Sequence, residues 1–350
     1  MKESTPSPLR IGVLGAAGIA RSFIAGVRDS ALVSVTAVAS RDAARATRFA
    51  GEMSVPRSFG SYDALLADSQ IDAIYNPLPN SLHAAWSIRA ARAGKHVLCE
   101  KPLATSAAEA RAMFEAAREN GVQLVEGYPY RAQPQTLKLL ELVESQAIGE
   151  LQLIQASFGF TLGPEPNIRK DPALAGGALM DAGSYPVSLV RMLAQRRPSR
   201  IYAVAEWAAS GVDRAVAATL EFDSGLLAQV TCSFSTSVHR EALIAGTGGV
   251  IRTPFLNHPP AERPAELLVK QGTGWQAQEI RMEVPALNGF RAEAEAFAAR
   301  VRSGATHGAD LQHRALTSPE ESVDTMWILE RILESARLGR PVEAADLADR

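Results

Sequence analysis

The sequence has few cysteines and almost no net charge. Its 350 residues include two cysteines, and the formal net charge at pH 7 is -2. Two thiols do not suggest a disulfide framework, so the reducing cytoplasm is the expected location. A chain with this charge balance offers no basic surface for nucleic acid or for an anionic membrane. We therefore expect neither nucleic acid nor a membrane as a partner.

The sequence also lacks long apolar runs and clusters of metal-binding residues. No apolar run approaches the roughly 18 residues that suggest a transmembrane helix. The six histidines do not have the spacing of metal ligands, so no metal site is predicted. Residues 1–8 are polar and are predicted to be a disordered lead-in. The remaining length suits two domains.

Short apolar strands alternate with amphipathic helices in the first third of the chain. Strands are predicted at residues 9–14, 33–39, 71–76, 96–100 and 123–126, and helices at 19–29, 43–53, 61–68, 81–93 and 107–120. Strands separated by helices of this length form a parallel, doubly wound sheet. The pattern predicts an α/β Rossmann domain over residues 9–127, with its ligand beyond the carboxyl ends of the strands.

A glycine-containing loop follows the first strand. Gly15, Ala17 and Ala20 occupy the three small-residue positions of the G-x-G-x-x-G pattern, and Gly18 and Ile19 lie between them. The first glycine permits a tight turn, and the last position needs only a small residue for helix packing. The loop therefore predicts dinucleotide binding. The alternative is a strand-to-helix turn without a ligand.

The residues after the second strand indicate which dinucleotide is bound. An NAD site usually has a carboxylate here for the ribose hydroxyl, and that carboxylate would repel a 2′-phosphate. This strand is followed by Ser40, Arg41 and Asp42. A hydroxyl and a guanidinium bind a phosphate well, so we predict NADP(H). In the alternative, Arg41 is a solvated surface residue and Asp42 binds the ribose of NAD.

The rest of the chain predicts an α+β second domain over residues 128–315. Strand-like runs without long helices between them indicate a large, mostly antiparallel sheet, with a helix at 176–193 packed on one face. We expect the other face, with alternating apolar residues such as Leu226, Ala228 and Val230, to form a dimer surface. Amphipathic helices at 289–303 and 318–338 are expected to fold back on the first domain, and residues 316–350 form the C-terminal helix and tail.

Three residues could transfer or control a proton. Asp181 and Tyr185 are four residues apart, so they share one face of a helix. A tyrosine exchanges protons when its pKa is lowered, and the ammonium of Lys101 could lower it by stabilising phenolate. Considered separately, Tyr185 could be a core tyrosine, Asp181 a capping carboxylate and Lys101 a surface residue.

Four segments carry a resemblance to a known family. They are Arg10–Gly15, Tyr75–His83, Ala93–Leu103 and Gly176–Asp181. Together they resemble the Gfo/Idh/MocA oxidoreductases, specifically the branch with dihydrodiol dehydrogenases, NADP-linked xylose dehydrogenases and sugar 3-ketoreductases, which has tyrosine where many relatives have histidine. The resemblance implies that Tyr185 is the acid–base group, that Lys101 assists it, and that the Lys101–Pro102 bond is cis.

The resemblance also assigns binding residues and a substrate class. Beyond the glycine loop, Ser40 and Arg41, it assigns the cofactor site to Pro77, Leu78, Asn80, His83, Glu100, Lys101 and Arg169. In the alternatives, His83 is structural, and Arg169 contacts the substrate or lies on the surface. It implies an NADP(H)-dependent dehydrogenase or reductase of a sugar or polyol, assembled as a homodimer or a dimer of dimers. A reductase of a nucleotide-linked keto sugar and a non-catalytic NADP sensor remain alternatives. Gln133 replaces a histidine that borders the substrate pocket in many close relatives.

Overall fold

The computed structural model describes residues 7–255, 264–304 and 314–344. Nearly all of the predicted lead-in, residues 1–8, lies outside these ranges. The described residues fold into two compact units. The first contains the chain up to Ala104, Ala108–Gln133 and Leu287–Pro319, and the second contains Thr105–Ala107, Pro134–Ala286 and the chain from Glu320.

A six-stranded parallel sheet forms the centre of the first unit. Its strands are β1 (Leu9–Leu14), β2 (Val33–Ala39), β3 (Arg57–Phe59), β4 (Ala73–Asn76), β5 (His96–Glu100) and β6 (Leu124–Gly127). Their order is β3-β2-β1-β4-β5-β6, the doubly wound order of a Rossmann fold. Helices cover both faces of such a sheet, so β4 and most of β1 and β5 are buried. The strand order reverses between β1 and β4, where such sheets bind ligands.

Among the described residues, six helices with stated bounds complete the first unit. They are α1 (Gly18–Val27), α2 (Ala43–Met53), α3 (Tyr62–Leu66), α4 (Asn80–Arg92), α5 (Ala107–Glu119) and α8 (Gly289–Ser303). Side chains cap three of them, because Asp42, Ser61 and Asn288 each accept a hydrogen bond from a first-turn backbone N–H group. The predicted alternation is confirmed, and β3 is a short additional strand that the sequence did not reveal.

Helix α8 belongs to the first unit although it comes late in the chain. Phe290, Ala294 and Phe297 follow helical spacing and are buried in the same core as Phe23. The ring of Phe23 stacks on Tyr75 with centroids 3.8 Å apart and meets Phe290 edge-on at 6.1 Å. This helix therefore packs in the first unit, as expected. The second unit does not extend to residue 315 as predicted, because Leu287–Pro319 belongs to the first unit.

The second unit contains a nine-stranded sheet. Its strands are β7 (Leu151–Thr161), β8 (Arg200–Trp207), β9 (Asp213–Glu221), β10 (Leu227–Ser233), β11 (Ser235–Gly246), β12 (Gly249–Thr253), β13 (Ala265–Gln271), β14 (Glu279–Val284) and β15 (Val342–Glu343). Their order is β14-β13-β12-β11-β7-β10-β9-β8-β15. All described pairs are antiparallel except β7 with β10, so the predicted sheet is confirmed.

The second unit also contains the helices α6 (Pro134–Glu144), α7 (Ser184–Ala194) and most of α9 (Pro319–Leu338). Asp324 of α9 accepts a hydrogen bond from Arg191 of α7 at 2.7 Å and pairs with Arg197. Ser335 of α9 accepts one from the backbone of Ala203. These buried polar contacts hold α9 on the second unit, which corrects the prediction that the C-terminal helix packs on the first domain.

The two faces of the large sheet differ in exposure. Leu226, Ala228 and Val230 are buried, on the side that α7 contacts, so the prediction that they form the open face is wrong. Side chains on a strand alternate between faces, and the sequence pattern could not show which set pointed outward. The exposed apolar residues of the sheet include Tyr202, Val204 and Leu227, at 44%, 53% and 46%.

Candidate active site

The loop between β1 and α1 leaves a helix N-terminus available for an anion. Gly15 has φ of +93°, a conformation that favours glycine, and a Cβ there would lie 3.1 Å from a methyl carbon of Leu78. No side chain caps α1 at Ala17, and its first turn has no acidic residue. A Cβ on Gly18 would meet no atom within 4 Å. Such an N-terminus fits the pyrophosphate of a dinucleotide.

The end of β2 favours a 2′-phosphate over a free ribose hydroxyl. The carboxylate of Asp42 accepts the backbone N–H of Arg45 at 3.1 Å, so it acts as the cap of α2. Burial raises the pKa of Tyr62, and the charges of Arg41 and Arg45 oppose this rise, which places both guanidinium groups near the phenol. Ser40 lies beside them with its hydroxyl 3.3 Å from the backbone nitrogen of Asp42.

Arg45 is a candidate cofactor residue that the sequence reasoning missed. Its Nη2 donates to the carbonyl of Ala16 in the glycine loop at 2.9 Å, which links the start of α2 to the loop after β1. Arg45 lies one turn into α2, at the position three residues after its capping residue. The spacing of Arg45 from Asp42 was visible in the sequence, but the contact of the Arg45 side chain with the glycine loop was not.

The loop after β4 is held by a buried histidine. His83 Nε2 lies 2.7 Å from the carbonyl oxygen of Leu78, and Nδ1 lies 2.8 Å from that of Pro102. Burial lowers the pKa of His83 to about 4, so the ring is neutral at pH 7. His83 therefore joins the loop after β4 to the loop after β5. Its role in cofactor binding stays a prediction, as do the roles of Pro77, Leu78 and Asn80 in the same loop.

Lys101 follows directly from β5. The neighbouring Glu100 is buried, and its Oε1 accepts the hydroxyl of Tyr75 at 2.6 Å. The backbone N–H of Lys101 lies 3.3 Å from Glu100 Oε2. The Lys101–Pro102 peptide bond is cis, as the resemblance implied. Glu100 and Lys101 thus lie at the carboxyl edge of the parallel sheet, in the same unit as the glycine loop.

Asp181 and Tyr185 lie in the second unit, around a change of helix type. Residues Leu179–Gly183 form one π-helical turn that continues into α7 at Ser184, so the helix that the sequence predicted contains a change of helix type. Asp181 Oδ2 accepts from Arg169 Nε at 2.6 Å. Arg169 therefore orients Asp181. The sequence predicted Arg169 as a cofactor residue and did not predict this contact. Tyr185 is 2% exposed, and its ring lies 5.4 Å from that of Phe158.

A buried carboxylate supports this segment from β9. Asp213 Oδ2 accepts the backbone N–H of Leu179 at 2.6 Å. Gly177 has φ of +117°, and a Cβ there would lie 2.2 Å from Asp213 Oδ1, so glycine is required. A cavity of about 390 Å³ borders Gly176, Met180 and Asp213.

Comparison with known proteins identifies the family. Residues 9–128 match the oxidoreductase family with an NAD-binding Rossmann fold, and residues 136–252 match the Gfo/Idh/MocA C-terminal domain. The chain belongs to the Gfo/Idh/MocA family of oxidoreductases. This confirms the predicted family and the predicted two-part α/β architecture.

Three similar proteins indicate which enzymes this chain resembles. An NADP-linked D-xylose 1-dehydrogenase from Haloferax volcanii is 38% identical over 96% of this chain and 99% of the relative. A trans-1,2-dihydrobenzene-1,2-diol dehydrogenase from Danio rerio is 34% identical over 78% of this chain and 87% of the relative. A solved structure of a 3-ketoreductase from Actinomadura kijaniata with NADP and TDP-benzene is 31% identical, with a TM-score of 0.84, over 94% of this chain and 98% of that chain.

These relatives confirm the predicted enzyme class, an NADP-linked oxidoreductase of sugars. Within the described residues, no group of three or more histidine, cysteine, aspartate or glutamate side chains could hold a metal ion. No helix in the described part of the chain combines the length and the apolar character needed to cross a bilayer.

Proposed function

We propose that this family member transfers a hydride between NADP(H) and a secondary alcohol or ketone of a sugar or polyol, with Tyr185 as the acid–base group. The observation that carries the cofactor assignment is the end of β2, where Asp42 is used as a helix cap and Arg41 and Arg45 supply positive charge. The carboxylate that would select NAD is thus occupied, while two cations remain for a 2′-phosphate.

NADP+, when bound, supplies the acceptor for the hydride that leaves the substrate carbon. In the oxidation direction, we assign Tyr185 to accept the proton of the substrate hydroxyl. Lys101 lowers the pKa of Tyr185 and orients the substrate. Asp181, itself oriented by Arg169 at 2.6 Å, accepts a hydrogen bond from a second substrate hydroxyl. In the reduction direction the same groups return the proton.

The relatives support these assignments. The Actinomadura 3-ketoreductase has also been solved with a tyrosine changed to phenylalanine and with a lysine changed to alanine or glutamate. The two residue types changed in that enzyme, tyrosine and lysine, are those of Tyr185 and Lys101. The similarity of this chain to the xylose dehydrogenase supports a free sugar as its substrate class.

A Tyr185→Phe variant tests the proposal because it removes only the hydroxyl. We expect turnover to fall about 10²-fold or more, the usual scale for losing general acid–base catalysis, while NADP still binds. Lys101→Ala is expected to be comparably damaging, and the two losses to be less than additive. Turnover is measured at saturating NADP and sugar, with cofactor binding followed by fluorescence. A Tyr185→Phe variant that keeps more than about a tenth of wild-type turnover would refute the assignment.

A reductase of a nucleotide-linked keto sugar is the second candidate. It is favoured by the likeness to the 3-ketoreductase whose structure contains TDP-benzene. A screen of aldoses, inositols and keto sugars with both cofactors separates the two. Inhibition of aldose oxidation by TDP at micromolar concentration would favour the nucleotide-linked substrate, and no inhibition would favour the free sugar.

We also propose a homodimer, or a dimer of dimers, formed through the open face of the large sheet. The apolar side chains that support it are Tyr202, Val204 and Leu227, each more than two-fifths exposed. A cytoplasmic location is proposed as well, because Cys99 and Cys232 are buried free thiols and a disulfide framework is not part of the described fold.

A further inference from the structure

Strand β11 is irregular between Ser235 and His239, where it pairs with β7. Ser235 pairs with Thr161 of β7, but the next pair is His239 with Gly159. Three residues of β11 thus face the single residue Phe160 of β7, which is a β-bulge. Bulges bend a strand and redirect the side chains that follow, and they are common beside active sites. Here the redirected residue is Arg240.

Arg240 is a cation without an anionic partner. It pairs with Phe158 across the strands, and its guanidinium lies over that ring, 4.7 Å from the centroid. Within the described ranges it forms no ion pair, and its buried Nε has no hydrogen-bond acceptor. Burial lowers the pKa of Arg240, and an attraction to Tyr185 opposes this shift. Burying an unpaired charge is costly, so a compensating anion is expected nearby.

The ring of Tyr185 lies against the same Phe158, tilted by 59°. Both Arg240 and Tyr185 therefore contact one aromatic ring in the second unit. We propose that Arg240 stabilises the phenolate form of Tyr185 and thereby sets the pH at which this residue accepts the substrate proton. This inference rests on the proposed function, in which Tyr185 is the acid–base group. A cation near a phenol lowers its pKa because it favours the charged form.

The other charged and titratable groups around Tyr185 do not supply the positive charge that Arg240 provides. Asp181, on the preceding turn, is paired with Arg169 at 2.6 Å, so its charge is largely offset. Cys232 of β10 faces Gly183, and burial raises the pKa of its thiol, which is therefore neutral. Lys101 is the cation that the proposed function already assigns. Arg240 is thus a second cation, contributed by the sheet.

The pH dependence of kcat/KM for sugar oxidation tests the proposal. Arg240→Gln removes the charge, so the inflection on the acidic side should move upward by about one pH unit or more. Arg240→Lys keeps a charge and should restore much of the shift. Arg252→Gln, an exposed arginine on the neighbouring strand β12, is the matched control and should leave the profile unchanged. NADP affinity should be the same in all four proteins.

A second measurement separates this inference from the proposed function. The ionisation of Tyr185 is followed by ultraviolet difference absorbance without substrate, with Tyr185→Phe as the blank. An unchanged tyrosine pKa in Arg240→Gln would overturn the inference even if Tyr185 is catalytic. A raised KM for sugar with an unchanged inflection would also overturn it, because Arg240 would then bind substrate. If Arg240→Gln does not fold, Arg240→Met takes its place, because it also removes the charge and keeps the apolar contact with Phe158. An inflection displaced upward in Arg240→Met supports the proposal, and an inflection equal to that of wild type overturns it.

Discussion

At the scale of single residues, the proposed preference for NADP depends on how one carboxylate is used. Asp42 stands where an NAD enzyme has its ribose-binding acid, yet its side chain accepts the N–H of Arg45. The same turn brings Arg41 and Arg45 near Tyr62. A residue type at a position is therefore not enough to assign its role, because a local hydrogen bond can engage the group.

We expect wild type to bind NADP at least about tenfold more tightly than NAD, a difference of about 1.4 kcal/mol. Arg41→Ala and Arg45→Ala should each weaken NADP binding and leave NAD binding nearly unchanged, since each removes a charge-assisted contact with the 2′-phosphate. Isothermal titration with both cofactors measures this. Equal affinities in wild type, or an unchanged preference in both variants, would contradict the assignment.

At the scale of an element, the segment that carries Asp181 and Tyr185 depends on a strand that carries none of the proposed reacting groups. The π-helical turn Leu179–Gly183 has no side-chain cap of its own, and Asp213 of β9 accepts the N–H of Leu179 instead. Gly177 lets the backbone approach that carboxylate. The position of Asp181 therefore depends on a residue more than thirty positions later in the chain.

Asp213→Asn is expected to reduce kcat/KM by about tenfold or more, because small displacements of reacting groups have effects of that size. The amide cannot accept backbone N–H groups with both of its terminal atoms. Steady-state kinetics, with NADP binding as a second readout that should not change, provide the measurement. Asp223→Asn in the exposed turn after β9 is the matched control. Equal kinetics for the two variants would show that Asp213 has no positioning role.

At the scale of the whole molecule, folding buries an acid in the core of the first unit. Glu293 of α8 is 1% exposed, and neither of its oxygens has a hydrogen-bond partner among the described residues. Burial, together with the charge of Glu100, raises the pKa of Glu293 well above its usual value. The carboxyl is therefore held in its neutral form more strongly in the folded chain than in the unfolded one, and stability becomes dependent on pH.

For a group with a raised folded-state pKa, stability is fully present below the unfolded pKa, about 4.3 for glutamate, and is lost as pH rises through the folded value. Wild type should therefore lose stability relative to Glu293→Gln between pH 5 and pH 8. The expected difference in Tm is a few degrees, the scale of about 1 kcal/mol in a large domain. Scanning calorimetry of both proteins across this range measures it, and parallel Tm curves would refute the prediction.

Assembly is the second property at this scale. We expect light scattering to show a dimer or larger species at micromolar concentration, and Leu227→Glu to shift it toward monomer, because a buried charge opposes association. Leu338→Glu, at the exposed end of α9, is the control and should leave the assembly unchanged. A wild-type monomer, or a Leu227→Glu protein that stays assembled, would rule out this face as the interface.

The sequence by itself determined the parallel sheet, the antiparallel sheet and the glycine loop, and it supplied Lys101, Asp181 and Tyr185 as candidate residues. These follow from periodicity and from motifs, which are local in the chain. It did not determine where α8 and α9 pack, because two amphipathic helices of similar pattern can bury their apolar faces on either unit.

Only the tertiary structure decided the roles of residues whose partners are distant in sequence. The bulge that turns Arg240 toward Phe158, the support of Leu179 by Asp213 and the burial of Glu293 all depend on strand register and helix packing. The same holds for the face to which Ala228 points, since a strand's alternation is visible in sequence but its direction is not. Local pattern specifies an element, and the free energy of packing decides what that element contacts.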